Sequence, residues 1–220
     1  MKPLLLSILC LAAAVSARAD LTIQQNLKQE GGPGGKGMDT NITMKVKGEK
    51  LRMDGMKDMT SIVDLKTGEV SSLLHQQKAV MTIPGEQMKK MQEARAQENP
   101  KIDPPKATGN KETINGYACE EYETSLGGGK ILMWLTKDLP QVEKVMKELA
   151  QFAGQADPVQ NMLKEQNISG FPMRTVMDMP GMGKVTVTVV ALSEDPIPDS
   201  EFTVPSDYKP MKMPSMPMGQ

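Results

Sequence analysis

Apolar residues recur at every second position through most of this chain, in short runs broken by turn residues, and that period leaves few architectures open. From Asn41 the order Asn-Ile-Thr-Met-Lys-Val-Lys puts Ile42, Met44 and Val46 on one face of an extended strand and polar residues on the other. After Gly48-Glu49 the alternation resumes with Leu51 and Met53, which makes a hairpin with one apolar face. Ser61 to Leu65, Val70 to Leu74 and the alternating Ala79, Met81 and Ile83 extend it into an antiparallel meander. Asn115-Gly116 is a preferred hairpin turn, Gly127-Gly128-Gly129 separates Tyr117 to Leu126 from Lys130 to Thr136, and Pro180-Gly181 separates Met173 to Met179 from Lys184 to Leu192.

Helical spacing is rare by contrast. Pro140 opens the best candidate, where Val142, Val145, Met146, Leu149 and Phe152 follow i, i+3, i+4 spacing and Gly154 is a stop signal. A shorter helix begins at Asp157-Pro158, with Val159, Met162 and Leu163 on its apolar face. Glu86 to Gln97 is helix-prone with little to bury, Glu98 to Thr108 is a Pro-rich linker, and the tail from Lys209 to Gln220 has no periodicity and is expected to be disordered. The chain is therefore an α+β protein, a curved antiparallel sheet with one or two helices covering its concave face. The expected organisation is a single domain over residues 20–208.

The first 19 residues stand outside that fold. Lys2, the apolar run from Leu4 to Val15 and Ala17-Arg18-Ala19 together read as a secretory signal peptide, too short in its apolar core to span a bilayer. An exported protein, periplasmic or extracellular, is expected. With one His and two Cys there are too few ligands for a His/Cys zinc site or an iron–sulfur cluster. Cys119 is the single thiol beyond the leader and is expected to be a small buried hydrophobe on a strand. A formal net charge of -1 gives no electrostatic basis for binding nucleic acid.

No catalytic constellation is apparent. Gly31 to Gly37 and Gly127 to Lys130 lack the spacing and the Ser or Thr of a phosphate loop, and His75, in a strand-like stretch, has no nucleophile elbow to serve. Glu120 and Glu121 are adjacent on a strand and face opposite ways. The expectation is a non-enzymatic protein without a cofactor.

Certain segments carry a resemblance. They are, in order, Lys50-Leu51-Arg52-Met53-Asp54, Asp64-Leu65-Lys66-Thr67-Gly68, Ile114 to Tyr122, Met133-Trp134, Gly170-Phe171-Pro172, and Phe202-Thr203-Val204-Pro205 before Tyr208. In this order, behind a leader, the chain resembles an uncharacterised family of exported bacterial proteins, a domain of unknown function distantly similar to the Lol-type periplasmic lipoprotein carriers. The resemblance implies a LolA-like half-barrel closed by helices over an apolar cavity. The leading functional expectation is a carrier or sensor of an apolar ligand, a lipid or acyl chain. The candidate lining residues are Ile42, Met44, Val46, Leu51 and Met53 with Met81 and Met133 from the sheet, faced by Val145 and Leu149 of the helix.

Methionine is the abnormal residue, at 20 against 19 glycines. It serves as an adaptable apolar filler, but thioethers are also soft ligands for Cu(I) and Ag(I). In the tail Met211, Met213, Met216 and Met218 have no core to fill and are the candidate copper(I) ligands. A structural envelope protein without a ligand is the third reading.

Overall fold

The computed structural model describes residues 20–31, 37–56, 58–96, 102–152, 162–163, 165–181 and 183–211. The leader, part of the Pro-rich linker, Val159 and the tail methionines Met213, Met216 and Met218 lie outside these residues.

Six strands form the first half: β1 (Leu21–Glu30), β2 (Met38–Lys47), β3 (Lys50–Met56), β4 (Met59–Asp64), β5 (Val70–Leu74) and β6 (Ala79–Ile83). Helix α1 (Gly85–Ala96) follows, then β7 (Lys106–Ile114), β8 (Tyr117–Leu126) and β9 (Gly129–Thr136). Helix α2 (Pro140–Phe152), β10 (Phe171–Met179), β11 (Gly183–Ser193) and β12 (Lys209–Pro210) complete the chain. All twelve strands join one open sheet in the order β12-β6-β5-β4-β3-β2-β1-β11-β10-β9-β8-β7. Every pair is antiparallel except β12 with β6. Among the described residues no helix is long and apolar enough to cross a membrane.

Local sequence explains most of these elements. Asn115 and Gly116 both take positive φ, 48° and 82°, the mirror-image turn whose twist matches the strands it joins. Helix α2 buries Val142 from the stripe its spacing foretells, and Pro140 opens it where no amide is needed. The sheet is also coiled. Asn115 at the β7–β8 tip donates its side-chain amide to the Val189 carbonyl on β11, three strand positions away, about 14 Å on a flat sheet.

Several expectations need correction. Strand β1 has no sustained apolar period beyond Leu21 and Ile23, yet it pairs with β2 and β11 along its whole length. The Pro-rich stretch ends early, because Lys106 to Thr108 already belong to β7, an edge strand with all but one residue exposed. His75 lies in a 3-10 turn, His75–Gln77, between β5 and β6 and not within a strand. The tail begins in the sheet, since Lys209 and Pro210 pair with Ala79 and Val80.

The sheet also has two covered faces where the alternation suggested one. The inner face carries Leu21, Ile23, Met44 and Val46 in one cluster with Val142, under α2. On the outer face Ile62, Leu73 and Val80 pack against Ile197, Phe202 and Tyr208 of the segment after β11. That segment crosses β2 to β6 as a strap and ends as β12 on the β6 edge.

Candidate functional site

The inner face is the place where the candidate lining residues meet. Met44, Val46, Leu51 and Met53 share one cluster with Val142, Val145, Met146 and Leu149 of α2. Ile42 is buried on the same side of β2 by alternation. Met133 is buried with Ile131 and Leu135 against Met162 and Leu163, so a second helical piece covers that end of the face. Met81 stands apart: its register through Ser72, Ser61 and Met53 puts it on the inner side, but at the β6 edge beside β12.

Burial along α2 is uneven. Val142 is 2% exposed, whereas Val145, Met146 and Leu149 remain partly exposed, as do Leu51, Met53 and Leu192 in the same cluster. Leu27, Val187, Val185 and Met177 continue this partly exposed apolar strip along β1, β11 and β10. These apolar side chains face one another and still meet solvent, so protein covers this part of the face incompletely.

A pocket of about 380 Å³ adjoins the β7–β8–β9 end. Its walls include Ala118, Leu135 and Tyr122, and its rim carries Lys111, Glu120, Lys137 and Asp138. Tyr122 donates to Glu120 at 3.3 Å, and burial first, then the Glu120 charge, pushes its phenol up. Cys119 is 4% exposed and burial raises its thiol pKa, which suits a packed hydrophobe and not a nucleophile. At the edge of the pocket Arg174 donates from Nη1 to both carboxylate oxygens of the lining residue Glu112, at 2.9 and 3.0 Å, and lies 5.3 Å over the Trp134 ring. Sequence reasoning missed the pocket because its residues come from three strands and two loops with no shared spacing.

The outer face is organised differently. Thr60 donates its hydroxyl to Asp54 Oδ1 at 2.5 Å, which leaves its oxygen to accept from His75 Nε2 at 2.8 Å. His75 Nδ1 then accepts from the Tyr208 hydroxyl at 2.5 Å. Burial alone would push the Asp54 carboxyl up, but hydrogen bonds from Arg52 and Thr60 hold it below the usual range. Arg52 also donates to the Glu201 carbonyl at 2.6 Å, and Lys45 pairs with the Glu201 carboxylate at 3.0 Å. These contacts hold the strap, and the Thr60 hydroxyl at their centre is buried, with Thr60 1% exposed.

The family profile of a domain of unknown function, DUF4412, matches residues 29–208. The chain belongs to the DUF4412 family. No curated protein matches this DUF4412 chain in sequence. Among solved structures it is similar to PNGF-II, with 15% identity and a TM-score of 0.43 over 89% of the chain and 31% of that protein, so it spans about a third of that length. It is also similar to a DUF1329 family protein from Desulfovibrio piger, with 12% identity over 86% of the chain and 91% of that one and a TM-score of 0.39. A LolA superfamily protein from Nitrosomonas europaea is 7% identical over 84% and 90% of the two chains, with a TM-score of 0.37.

Proposed function

We propose that this DUF4412 protein is a non-enzymatic binding protein of the cell envelope that carries or senses an apolar ligand, a lipid or an acyl chain, between α2 and the inner face of its sheet. The observation that supports this is the partly exposed apolar stripe of α2, Val145, Met146 and Leu149, set over the equally open Leu51, Met53 and Leu192. Exposed apolar area in a concavity is costly in water, and an alkyl chain laid there removes it at about 25 cal/mol per Å². The leader sequence is consistent with export to the envelope. Met44, Met53 and Met146 suit a surface that must accept chains of variable shape, because thioether side chains repack at low cost.

Native mass spectrometry of protein isolated from its own envelope without detergent tests the reading. The expected result is a bound species in the lipid mass range, released on denaturation. If only the bare chain appears, and a fluorescent fatty acid also fails to bind, the protein is a structural envelope component and the carrier reading falls.

A further inference from the structure

Strand β1 carries a polar residue in an otherwise apolar row. Leu21, Ile23, Gln25 and Leu27 fall on one side of the strand by alternation, and Leu21 and Ile23 belong to the cluster under α2, so that side is the inner one. The register agrees. Gln25 stands opposite Ile42 on β2 and Val189 on β11, which are 7% and 1% exposed. Cross-strand partners lie about 5 Å apart, so the Gln25 side chain leaves the sheet between two aliphatic neighbours.

This is also where the cover ends. Ile23 is fully buried on one side of Gln25 along the strand, whereas Leu27 on the other is partly exposed, as is its partner Val187. Gln25 itself is half-buried, and its side-chain amide has no hydrogen-bond partner among the described residues. None of those residues seals a polar side-chain atom from solvent without a partner, so this amide opens on the uncovered part of the face. Other polar groups are engaged or distant: Thr40 donates to the Gly55 carbonyl at 3.3 Å, Gln29 has a partner of its own, and Thr175 lies two strands away across Val187. The inward positions of β1, β2, β10 and β11 carry no charged residue, because Lys28, Lys45, Arg174 and Lys184 alternate to the other side. Helical spacing turns Lys144 and Lys147 from the apolar stripe of α2, and Lys147 pairs with Glu143 at 2.6 Å.

We propose that Gln25 makes the inner face selective for a neutral acyl carbonyl, the ester or amide of a fatty chain, over the free carboxylate. The inference rests on the apolar-ligand reading and names its ligand class. Gln25 Nε2 donates to the carbonyl oxygen while the chain lies along Leu27, Val187 and Val185, and an amide linkage returns its own N–H to Gln25 Oε1. A carboxylate fits worse, since its charge would leave water with no cation to receive it.

The test uses the full chain and four fluorescent probes of one chain length, ending in a carboxylate, a methyl ester, an N-methyl amide or a plain methyl group. The ester and the amide should bind wild-type protein ~5-fold or more tightly than they bind Gln25→Leu, whereas the plain chain should bind both proteins alike. At pH 8 the carboxylate should bind the wild type more weakly than the ester. The infrared stretch of an isotope-labelled ester carbonyl should fall in frequency on binding to the wild type and not to the variant. Ligand-free Gln25→Leu should keep or raise the thermal midpoint, which separates lost recognition from a lost fold. Equal ester affinity in the two proteins, a carboxylate bound as tightly as the ester, or an unshifted carbonyl in the wild type would overturn the role of Gln25 while the plain chain still binds. Failure of all four probes would instead bring down the apolar-ligand reading, and this inference with it.

Discussion

The two faces of the sheet are closed by different physics. On the outer face the strap is tied down by directional contacts: Lys45 and Arg52 to Glu201, Lys47 to Asp199 at 2.8 Å, and the line from Tyr208 through His75 and Thr60 to Asp54. Ile197 and Phe202 fill the space beneath it. On the inner face α2 lies on an apolar bed through a stripe that is fully buried only near its first turn, where Gln141 also donates to Glu194 at 3.0 Å. Directional bonds hold one position, whereas apolar contact tolerates sliding and lifting. The outer face is thus held by specific bonds and the inner face by apolar contact alone over most of α2.

Truncation of the strap's anchor is the largest test of this contrast. Phe202→Ala should cost about 3 kcal/mol in urea denaturation, the range for an aromatic removed from a packed site. A loss below about 1 kcal/mol would mean that the strap adds little to the fold. Leu149→Ala, on the open end of α2, should cost at most about 1 kcal/mol, because much of its side chain already meets water. The same variant should weaken binding of a fluorescent fatty acid several-fold. Equal destabilisation by Leu149→Ala and Phe202→Ala would show that both faces are packed alike and remove the distinction.

Acid should act on the strap side first, with the smallest effect per residue. Asp64 accepts from Lys50 and from the Thr67 amide, which hold its carboxyl at about 2, and Asp54 is lowered by Arg52 and Thr60 against its own burial. A carboxyl whose folded pKa lies below its unfolded value of about 4 stabilises the fold above that value. The contribution is lost as pH falls from about 4 toward 2. For Asp64, partly solvated at the β4–β5 turn, it is under about 1 kcal/mol after screening. Hydrogen exchange compared at pH 6 and pH 3 should show the β4–β6 amides losing protection while the α2 amides change less; the reverse order would contradict the division of labour.

How much of this could be read in the residues depends on which side chains each element buries. Strand β2 and helix α2 announced themselves, because Ile42, Met44 and Val46, and Val142, Val145 and Leu149, repeat at the periods of their own backbones. Strand β7 did not, since an edge strand with a single buried residue, Ile114, has no apolar pattern to display. The outer half of β1 was silent for a related reason: Gln25, Asn26, Lys28 and Gln29 are held by ladder bonds on both sides, and backbone pairing leaves no mark on side-chain order. The second core was hidden in plain composition. In β5 the run Ser71-Ser72-Leu73 is buried throughout, as in a strand covered on both faces, but two serines do not advertise burial.

By itself the sequence determined the local choices: period-two runs that must be strands, the Asn115-Gly116 turn and the amphipathic helix opened by Pro140. These depend on residues close in the chain and on their own backbone preferences. Tertiary structure alone decided that β1 joins β2 to β11, that the segment after Ser193 folds back over β2 to β6, and that Lys209 and Pro210 come to rest beside Ala79 and Val80. Those outcomes depend on which complementary surfaces meet across more than a hundred residues, a matter of shape, coiling and hydrogen-bond register that side-chain order along one chain does not encode locally.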